Sequence, residues 1–365
     1  MDNKINNRLA NGIHNYDKVL ELIIKNDGIS RTEISNVTGL SASSVTNITN
    51  KLMSNHLIKE SELIQSENSG RKAVLLRLNP LGGFFISLVF VNKSVRLDFY
   101  NLERKVGNSY YIPLGGSVVT GEFIIEKIEE EVQYNYKYGK FFGIILCFPS
   151  AVLEGREGVD ELGYKFEQDC FDKLKNFYPN TKVIIESFCA TNAYRLVAIN
   201  KYSKVMSLET GRVLASAINL NGKFLDKKHF TLKLEDFYSH SEGGQNKLAD
   251  CFTEKGICKA YSSLYNNAKT FEQIVSDYKN NDQLAVKLIE DSIITSTNAI
   301  KEFVQFVGVE CLVLSGSFLL LGEGFKNLLE KAFADLVDVK IEYSTSVDDI
   351  SRGGVSYSFD CLFSK

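Results

Sequence analysis

Ile29-Ser30-Arg31-Thr32-Glu33-Ile34-Ser35-Asn36-Val37-Thr38-Gly39-Leu40-Ser41 is the stretch of sequence that decides the fold of the N-terminal region. Ser30 and Glu33 have the spacing of a capping box, which predicts that a helix begins at this point. Gly39-Leu40 ends that helix, and Ser41 is the expected N-cap of the next one. The stretch therefore predicts two helices that are joined by a short turn.

The helix that follows Ser41 has two different faces. Val45, Ile48 and Leu52 recur at the spacing of a face that packs inward. The opposite face carries small polar side chains, namely Ser43, Ser44, Thr46, Asn47, Asn50 and Lys51. Hydroxyl and amide groups bind base edges and phosphates in the major groove of DNA. The pattern therefore predicts a DNA recognition helix.

The flanking segments complete a winged helix-turn-helix in residues 1–80. An earlier helix with one apolar face is predicted to stop at Asp27-Gly28, and a β-hairpin is predicted between Leu57 and Leu78. The tip of the hairpin carries Arg71 and Lys72, which predicts a wing that reaches phosphates or the minor groove. The expected DNA-binding residues are Arg31, Ser41, Ser43, Ser44, Thr46, Asn47, Asn50, Lys51, Arg71 and Lys72. The alternative interpretation is a small packing module.

Composition supports this division and limits the class of protein. The chain of 365 residues is too long for one efficient core and has a net charge of −3, which argues against a protein coated in basic surface. Seven scattered cysteines favour reduced core thiols over a disulfide framework. No apolar run reaches the roughly 20 residues that span a bilayer, and the N-terminus lacks the apolar stretch of a signal peptide. We therefore expect a cytoplasmic protein with no membrane partner.

Pro80-Leu81-Gly82-Gly83 marks the boundary to a second region. Hydrophobic periodicity predicts strands at 84–91, 94–100, 141–148, 182–185, 204–208, 212–220 and 311–314, and helices at 120–138, 284–306 and 323–337. Asn221-Gly222 is a strong hairpin signal. Two successive α/β lobes of this kind fit an architecture with a cleft between the lobes.

The winged helix-turn-helix followed by two such lobes resembles the ROK family (repressors, open reading frames and sugar kinases). The resemblance is specific in Ile29 to Ile34 and in Gly70-Arg71-Lys72. It is more diffuse in the lobes, at Phe148-Pro149, Ile185-Glu186, Asn221-Gly222-Lys223, Gly256 and Ser315-Gly316. It implies an α/β protein with an N-terminal winged helix-turn-helix and a two-lobed actin-like (ribonuclease H-like) sugar-kinase-type fold. The implied domains are 1–80 and 81–365, with the lobes divided near 190–200 and a C-terminal helix returning to the first lobe.

Two departures from the family kinases argue against catalysis. The kinases open with an Asp-x-Gly-x-Thr phosphate loop, whereas this chain has Ser87-Leu88-Val89-Phe90-Val91-Asn92, which cannot cradle a phosphate. The catalytic Asp of the family's Glu-Asn-Asp motif corresponds to Phe188 in Glu186-Ser187-Phe188, and phenylalanine cannot act as a base. One of the two nucleotide-approaching glycines is replaced in Ser315-Gly316. We therefore expect that the protein is not an enzyme.

The family's zinc and sugar motifs are also altered. Alignment on Gly256 puts Ile257 where the last zinc cysteine belongs, and Cys251 and Cys258 are each one position out of register. No metal and no cofactor are expected, although His240 with two cysteines leaves a rearranged site as an alternative. The sugar-binding Glu and the His of the family correspond to Glu235 and His240, and a solvated loop is the alternative there. The expected ligand-binding residues are Glu186, Ser187, Glu235 and His240.

These observations predict a DNA-binding transcriptional regulator, a repressor of carbohydrate-related genes, with a non-catalytic kinase-like domain. Its expected partners are a double-stranded DNA operator with an inverted repeat and a sugar or sugar phosphate effector. One winged helix covers too few bases to select a genomic site, so we expect a homodimer or a dimer of dimers. The helix 284–306 is a candidate contact surface, with a place in the core as the alternative. A regulator without a sugar effector and an active carbohydrate kinase are the alternative functions.

Overall fold

The structure is a computed structural model that describes residues 15–26, 28–61, 74–114, 116, 118–153, 163–199, 201–225, 238–241, 244–336 and 338–363. Its first region contains three helices and three strands: α1 (15–25), β1 (Ile29–Ser30), α2 (Arg31–Thr38), α3 (Ala42–Ser54), β2 (Ile58–Ser61) and β3 (Leu75–Leu78). The strands form one sheet in the order β1-β3-β2, with both pairs antiparallel. The predicted winged helix-turn-helix is confirmed.

The local signals of this region work as the sequence predicts. The Ser30 side chain accepts a hydrogen bond from the Glu33 N–H at 3.2 Å, and the Glu33 carboxylate accepts one from the Ser30 N–H at 2.8 Å. Gly39 ends α2 in a left-handed conformation with φ 72°, and the Ser41 hydroxyl caps α3. The core beneath these helices consists of Val19, Leu20, Ile23, Ile34, Val45, Leu52 and Leu76.

The first lobe is built on a five-stranded sheet with flanking helices. Its elements are β4 (Gly83–Val91), β5 (Ser94–Asn101), β6 (Val106–Pro113), β7 (Val118–Val119), α4 (Gly121–Tyr134), β8 (Lys140–Phe148), α5 (Ser150–Leu153), β9 (Lys165–Phe166), α6 (Cys170–Phe177) and β10 (Lys182–Ser187). The main sheet has the order β10-β8-β4-β5-β6. Strands β4, β5 and β6 are antiparallel, whereas β8 and β10 run parallel to β4.

The second lobe repeats the same arrangement. Its elements are α7 (Phe188–Ala198), β11 (Lys204–Thr210), β12 (Ala215–Leu220), β13 (Lys223–Phe224), β14 (Tyr238–Ser241), β15 (Gly244–Lys247), α8 (Leu248–Phe252), α9 (Glu254–Tyr265), α10 (Phe271–Lys279), α11 (Gln283–Val307), β16 (Cys311–Gly316), α12 (Glu323–Ala332), β17 (Lys340–Ser344) and α13 (Val347–Phe363). Its sheet has the order β13-β12-β11-β16-β17, again an antiparallel meander joined to two parallel strands. The repeat confirms the predicted two-lobed fold.

Three predicted boundaries differ from the structure by three or more residues. The helix predicted at 120–138 ends at Tyr134, because the Asn135 amide hydrogen-bonds back to Glu131 and a separate turn, Tyr136–Tyr138, follows. The helix predicted at 323–337 ends at Ala332. Phe333 and Leu336 follow it in tight turns and are buried, so the apolar spacing of a helix continues in the sequence beyond the end of the helix itself. The strand predicted at 212–220 begins at Ala215, after a bend.

Two helices connect the lobes. Helix α7 follows β10 of the first lobe and packs against β11 and β12 of the second, whereas α13 packs against β4, β8 and α7. A Cβ atom at Gly353 would overlap the carbonyl oxygen of Thr191, and one at Gly354 would lie 2.8 Å from the Cys147 sulfur. Glycine at position 353 therefore lets α13 cross α7 with the backbones in direct contact, and glycine at position 354 lets α13 pack closely on β8.

Two further expectations concern the thiols and the membrane. All seven cysteines are free, and five of them, Cys147, Cys170, Cys189, Cys251 and Cys311, are buried, which agrees with the expected core thiols. Within the described ranges, no helix is both long enough and apolar enough to cross a membrane. The helix 284–306 corresponds to α11, whose inward side belongs to the core of the second lobe.

Candidate nucleic-acid interface and interlobe cleft

The outer face of α3 is exposed and polar. Ser43, Thr46, Asn47, Asn50 and Lys51 lie on the surface, whereas Ser44 is half-buried. The hydroxyls of Ser43 and Ser44 lie 3.0 and 2.8 Å from the Ser41 hydroxyl, so these serines also support the cap. Among the described residues, the amides of Asn47 and Asn50 have no hydrogen-bond partner within the protein. This face therefore presents amide groups that are available to base edges.

Arg31, which was predicted to contact DNA, makes contacts inside the protein. Its Nε donates a hydrogen bond to the Thr49 hydroxyl at 3.1 Å, and its Nη2 forms an ion pair with Glu60 at 2.8 Å. Its side chain is 27% exposed. Arg31 thus joins α2 to α3 and to strand β2 of the wing. The sequence signal that was missed is Thr49, a polar residue at an inward position of α3.

The wing tip with Arg71 and Lys72 lies outside the described residues. The two strands that flank it are described. Their pairing begins with Ile58 opposite Leu78 and ends with Ser61 opposite Leu75. Strand β2 therefore leads from the helical core toward the residues of the predicted tip, and the antiparallel strand β3 leads back to the core. The role of Arg71 and Lys72 in phosphate binding stays a prediction.

A cleft of about 450 Å³ lies between the lobes. The turn after β4, the start of α7 and the end of β16 meet there, and they contribute Asn92, Phe188 and Gly316 to its wall. These are three of the segments in which the sequence departs from the pattern expected for the family kinases. Gly316 has φ +99°, and a Cβ atom there would overlap the Thr210 carbonyl oxygen, so the backbone requires glycine at this point. Phe188 provides no proton acceptor to the cleft.

Glu186 and Ser187 do not line the cleft formed by the described residues. Ser187 is buried, and its hydroxyl caps α7 by accepting a hydrogen bond from the Ala190 N–H at 3.1 Å. Glu186 is 2% exposed and lies among Cys147, Tyr357 and Cys361, on the side of the sheet that α13 covers. Its Oε2 has no partner among the described residues, and burial raises the pKa of this carboxyl to about 8.

The region of the predicted zinc and sugar motifs is partly described. Glu235 lies outside the described residues, and His240 lies on β14, where its backbone pairs with Gln245. Cys251 is in α8, and burial raises the pKa of its thiol to about 11, which disfavours the thiolate that zinc binds. No group of three or more His, Cys, Asp and Glu side chains in the described segments is arranged to hold a metal.

A larger groove of about 1140 Å³ lies on the other side of α7 and α13. Its walls include Ile24 and Lys25 of α1, together with Arg352 and Ser356 of α13. The DNA-binding region therefore lies directly against one of the two helices that connect the lobes. The apolar core is also continuous there, since residues of α1, β4 and α13 belong to one cluster.

The comparisons with known proteins agree with this arrangement. The family described as "Winged helix-turn-helix DNA-binding" matches residues 18–59. The xylose repressor of Staphylococcus xylosus is 23% identical over 303 residues, which cover 79% of this chain and 78% of that repressor. The xylose repressor of Bacillus subtilis (strain 168) is 29% identical over 190 residues, which cover 49% and 47%.

Solved structures show the same fold. A crystal structure of a ROK family transcriptional regulator, a homologue of the E. coli Mlc protein, has a TM-score of 0.74 at 18% identity and covers 96% of both chains. The ROK hexokinase from Thermus thermophilus has a TM-score of 0.62 at 13% identity and covers 76% of this chain and 99% of the kinase. The chain therefore has the architecture of a ROK family transcriptional regulator, in which a winged helix-turn-helix precedes the kinase-like fold.

Proposed function

We propose that this protein is a transcriptional repressor of carbohydrate genes that binds operator DNA through residues 1–80. The observation that carries the proposal is the exposed polar face of the capped helix α3, on a winged helix-turn-helix that packs against a kinase-like body. The relatives that are named xylose repressors support a role in sugar metabolism. A regulator of this kind acts in the cytoplasm, where the chromosome is.

Residues 81–365 form the effector and assembly domain in this proposal. Their effector is a sugar or a sugar derivative, with Glu235 and His240 as the proposed contacts. Glu186 and Ser187 support the effector site indirectly, because one is buried under α13 and the other caps α7. The domain holds two copies of the chain together, and Ile294 and Phe306 of α11 are exposed candidates for that contact.

Footprinting of the full chain on DNA upstream of its own gene tests the DNA-binding role. The expected result is a protected inverted repeat whose half-sites lie about one helical turn, or a multiple of it, apart. Solution mass measured with and without this DNA is expected to be that of a dimer or tetramer. A footprint without twofold symmetry, or a strictly monomeric mass in both states, would contradict the proposed assembly.

The domain is proposed to be non-catalytic, because Phe188 lines the cleft where the family kinases have their base. A coupled assay with ATP and a panel of pentoses and hexoses is expected to show no sugar-dependent consumption of ATP. General-base help contributes about 10²- to 10⁴-fold in rate. The variant Phe188→Asp is nevertheless expected to stay inactive, because the turn after β4 still lacks a phosphate loop. Turnover by the unmodified chain would instead identify a kinase.

A further inference from the structure

The wall of the interlobe cleft is apolar. Eight of its side chains are hydrophobic, namely Val91, Val152, Phe188, Val213, Leu319, Leu320, Val347 and Ile350. Leu320 is 57% exposed, so more than half of its side chain is open to a ligand or to water. The resemblance to the family kinases implies a nucleotide site at the turn after β4 and the end of β16. In this chain the same two places border a hydrophobic surface.

Three polar side chains of the cleft wall, those of Glu209, Thr210 and Ser344, already have partners within the protein. The buried Ser317 hydroxyl has none among the described residues. The Ser150 N–H and hydroxyl donate to the Glu209 carboxylate at 3.2 and 2.7 Å. The Thr210 hydroxyl donates to the Ser315 carbonyl oxygen at 2.9 Å. The Ser344 hydroxyl donates to the Asn192 side chain at 2.8 Å. A hydroxyl of a ligand that faces these three occupied side chains would lose water without gaining a full hydrogen bond in exchange.

The charges in the cleft disfavour an anionic ligand. Glu209 and Glu254 line it together with Arg212, so the carboxylates outnumber the cation. A phosphate monoester placed between the two carboxylates would be repelled. The ligand that fits this wall is therefore neutral and carries an apolar group.

We propose that the cleft binds a neutral glycoside with a flat apolar aglycone, and that the aglycone packs against Phe188 and Leu320. This inference rests on the proposed role of residues 81–365 as a sugar-effector domain and narrows the class of effector. Burial of an aromatic ring against these side chains removes apolar surface from water, which a free sugar cannot match. The aglycone is expected to tighten binding at least tenfold, which corresponds to about 1.4 kcal/mol.

Isothermal titration of the full chain with two matched pairs of ligands tests the proposal. The pairs are D-xylose with 4-nitrophenyl β-D-xylopyranoside, and D-glucose with 4-nitrophenyl β-D-glucopyranoside. At least one aryl glycoside is expected to bind about tenfold or more tightly than its parent sugar. The variant Leu320→Ser should weaken that glycoside several-fold and leave the free sugar unchanged. Leu264→Ser is the matched control, since Leu264 is 64% exposed on α9 and does not line the cleft.

Three results would overturn this inference. If a free sugar binds as tightly as its aryl glycoside, the sugar-effector role stands and the apolar contact is refuted. If 4-nitrophenol alone binds as tightly as the glycosides, the ligand is not a glycoside. If none of these compounds binds while the operator footprint is present, the cleft is not an effector site for glycosides, although the protein remains a DNA-binding regulator.

Discussion

Simultaneous replacement of Ser43, Thr46 and Asn47 by alanine is expected to lower operator affinity by about 10²- to 10⁴-fold, since one good base contact contributes about 1–3 kcal/mol. All three side chains are exposed on α3, and the cap bond from the Ser44 N–H to the Ser41 hydroxyl is left in place, so the fold should be retained. Binding to a scrambled sequence should change little, because contacts with phosphates supply most of the nonspecific affinity. Fluorescence anisotropy with operator and scrambled duplexes, at two salt concentrations, measures the difference.

The control for this variant is Asn327→Ala, which removes an exposed amide from α12 in the second lobe. It should bind the operator like the unmodified chain. The prediction fails if the triple variant keeps its preference for the operator over the scrambled duplex. That result would move sequence recognition away from α3 to the wing or to another surface.

Glu186→Gln is expected to stabilise the protein by a few kcal/mol at pH 8 and to have little effect at pH 5. The size follows from the raised pKa of Glu186, since each unit of pKa change between the folded and unfolded states corresponds to about 1.4 kcal/mol of stability. Burial raises the pKa of the Glu186 carboxyl from 4.5 to about 8 in the folded chain. The folded state therefore keeps a proton that the unfolded state releases between these values. The stability contributed by Glu186 is present below pH 4.5 and is lost as the pH rises toward 8.

Urea unfolding of both proteins at pH 5 and pH 8 measures this effect. The neutral amide of glutamine has the shape of the protonated acid and does not titrate, so the variant should depend less on pH. Glu302→Gln removes an exposed carboxylate from α11 and serves as the control. Equal pH dependence in the unmodified chain and in Glu186→Gln would show that this carboxyl is ionised in the fold.

Local signals made the N-terminal region predictable. The caps at Ser30 and Ser41 and the glycine at position 39 act within a few residues, so the sequence alone locates these helix ends. Strand β1 was missed because two residues, Ile29 and Ser30, are too short to show a period and pair only with the distant strand β3. The ion pair of Arg31 with Glu60 was missed for a related reason, since it joins residues 29 positions apart.

The cleft was harder to predict because its wall comes from distant segments. The sequence identified the altered turn at Asn92 and the altered base position at Phe188. It did not show that Leu320 lines the same cleft. Leu320 lies in a single short turn, Ser317–Leu321, which is too brief for a hydrophobic period. Side chains of β10 alternate between the two faces of the sheet, and the sequence alone does not show which face Glu186 is on. In the structure Glu186 is on the face that α13 covers, and Val183 is on the opposite face.

The crossing of α7 and α13 at Gly353 has a thermodynamic consequence. Helix α13 contributes Val347 to the interlobe cleft and Arg352 to the groove that α1 also lines. A ligand that favours one arrangement of α13 therefore changes the contacts of α1 as well. The coupling between two binding sites is reciprocal. If the ligand changes the affinity of the protein for operator DNA by some factor, operator DNA must change the affinity for the ligand by the same factor. Induction and repression would thus be two measurements of a single coupling free energy.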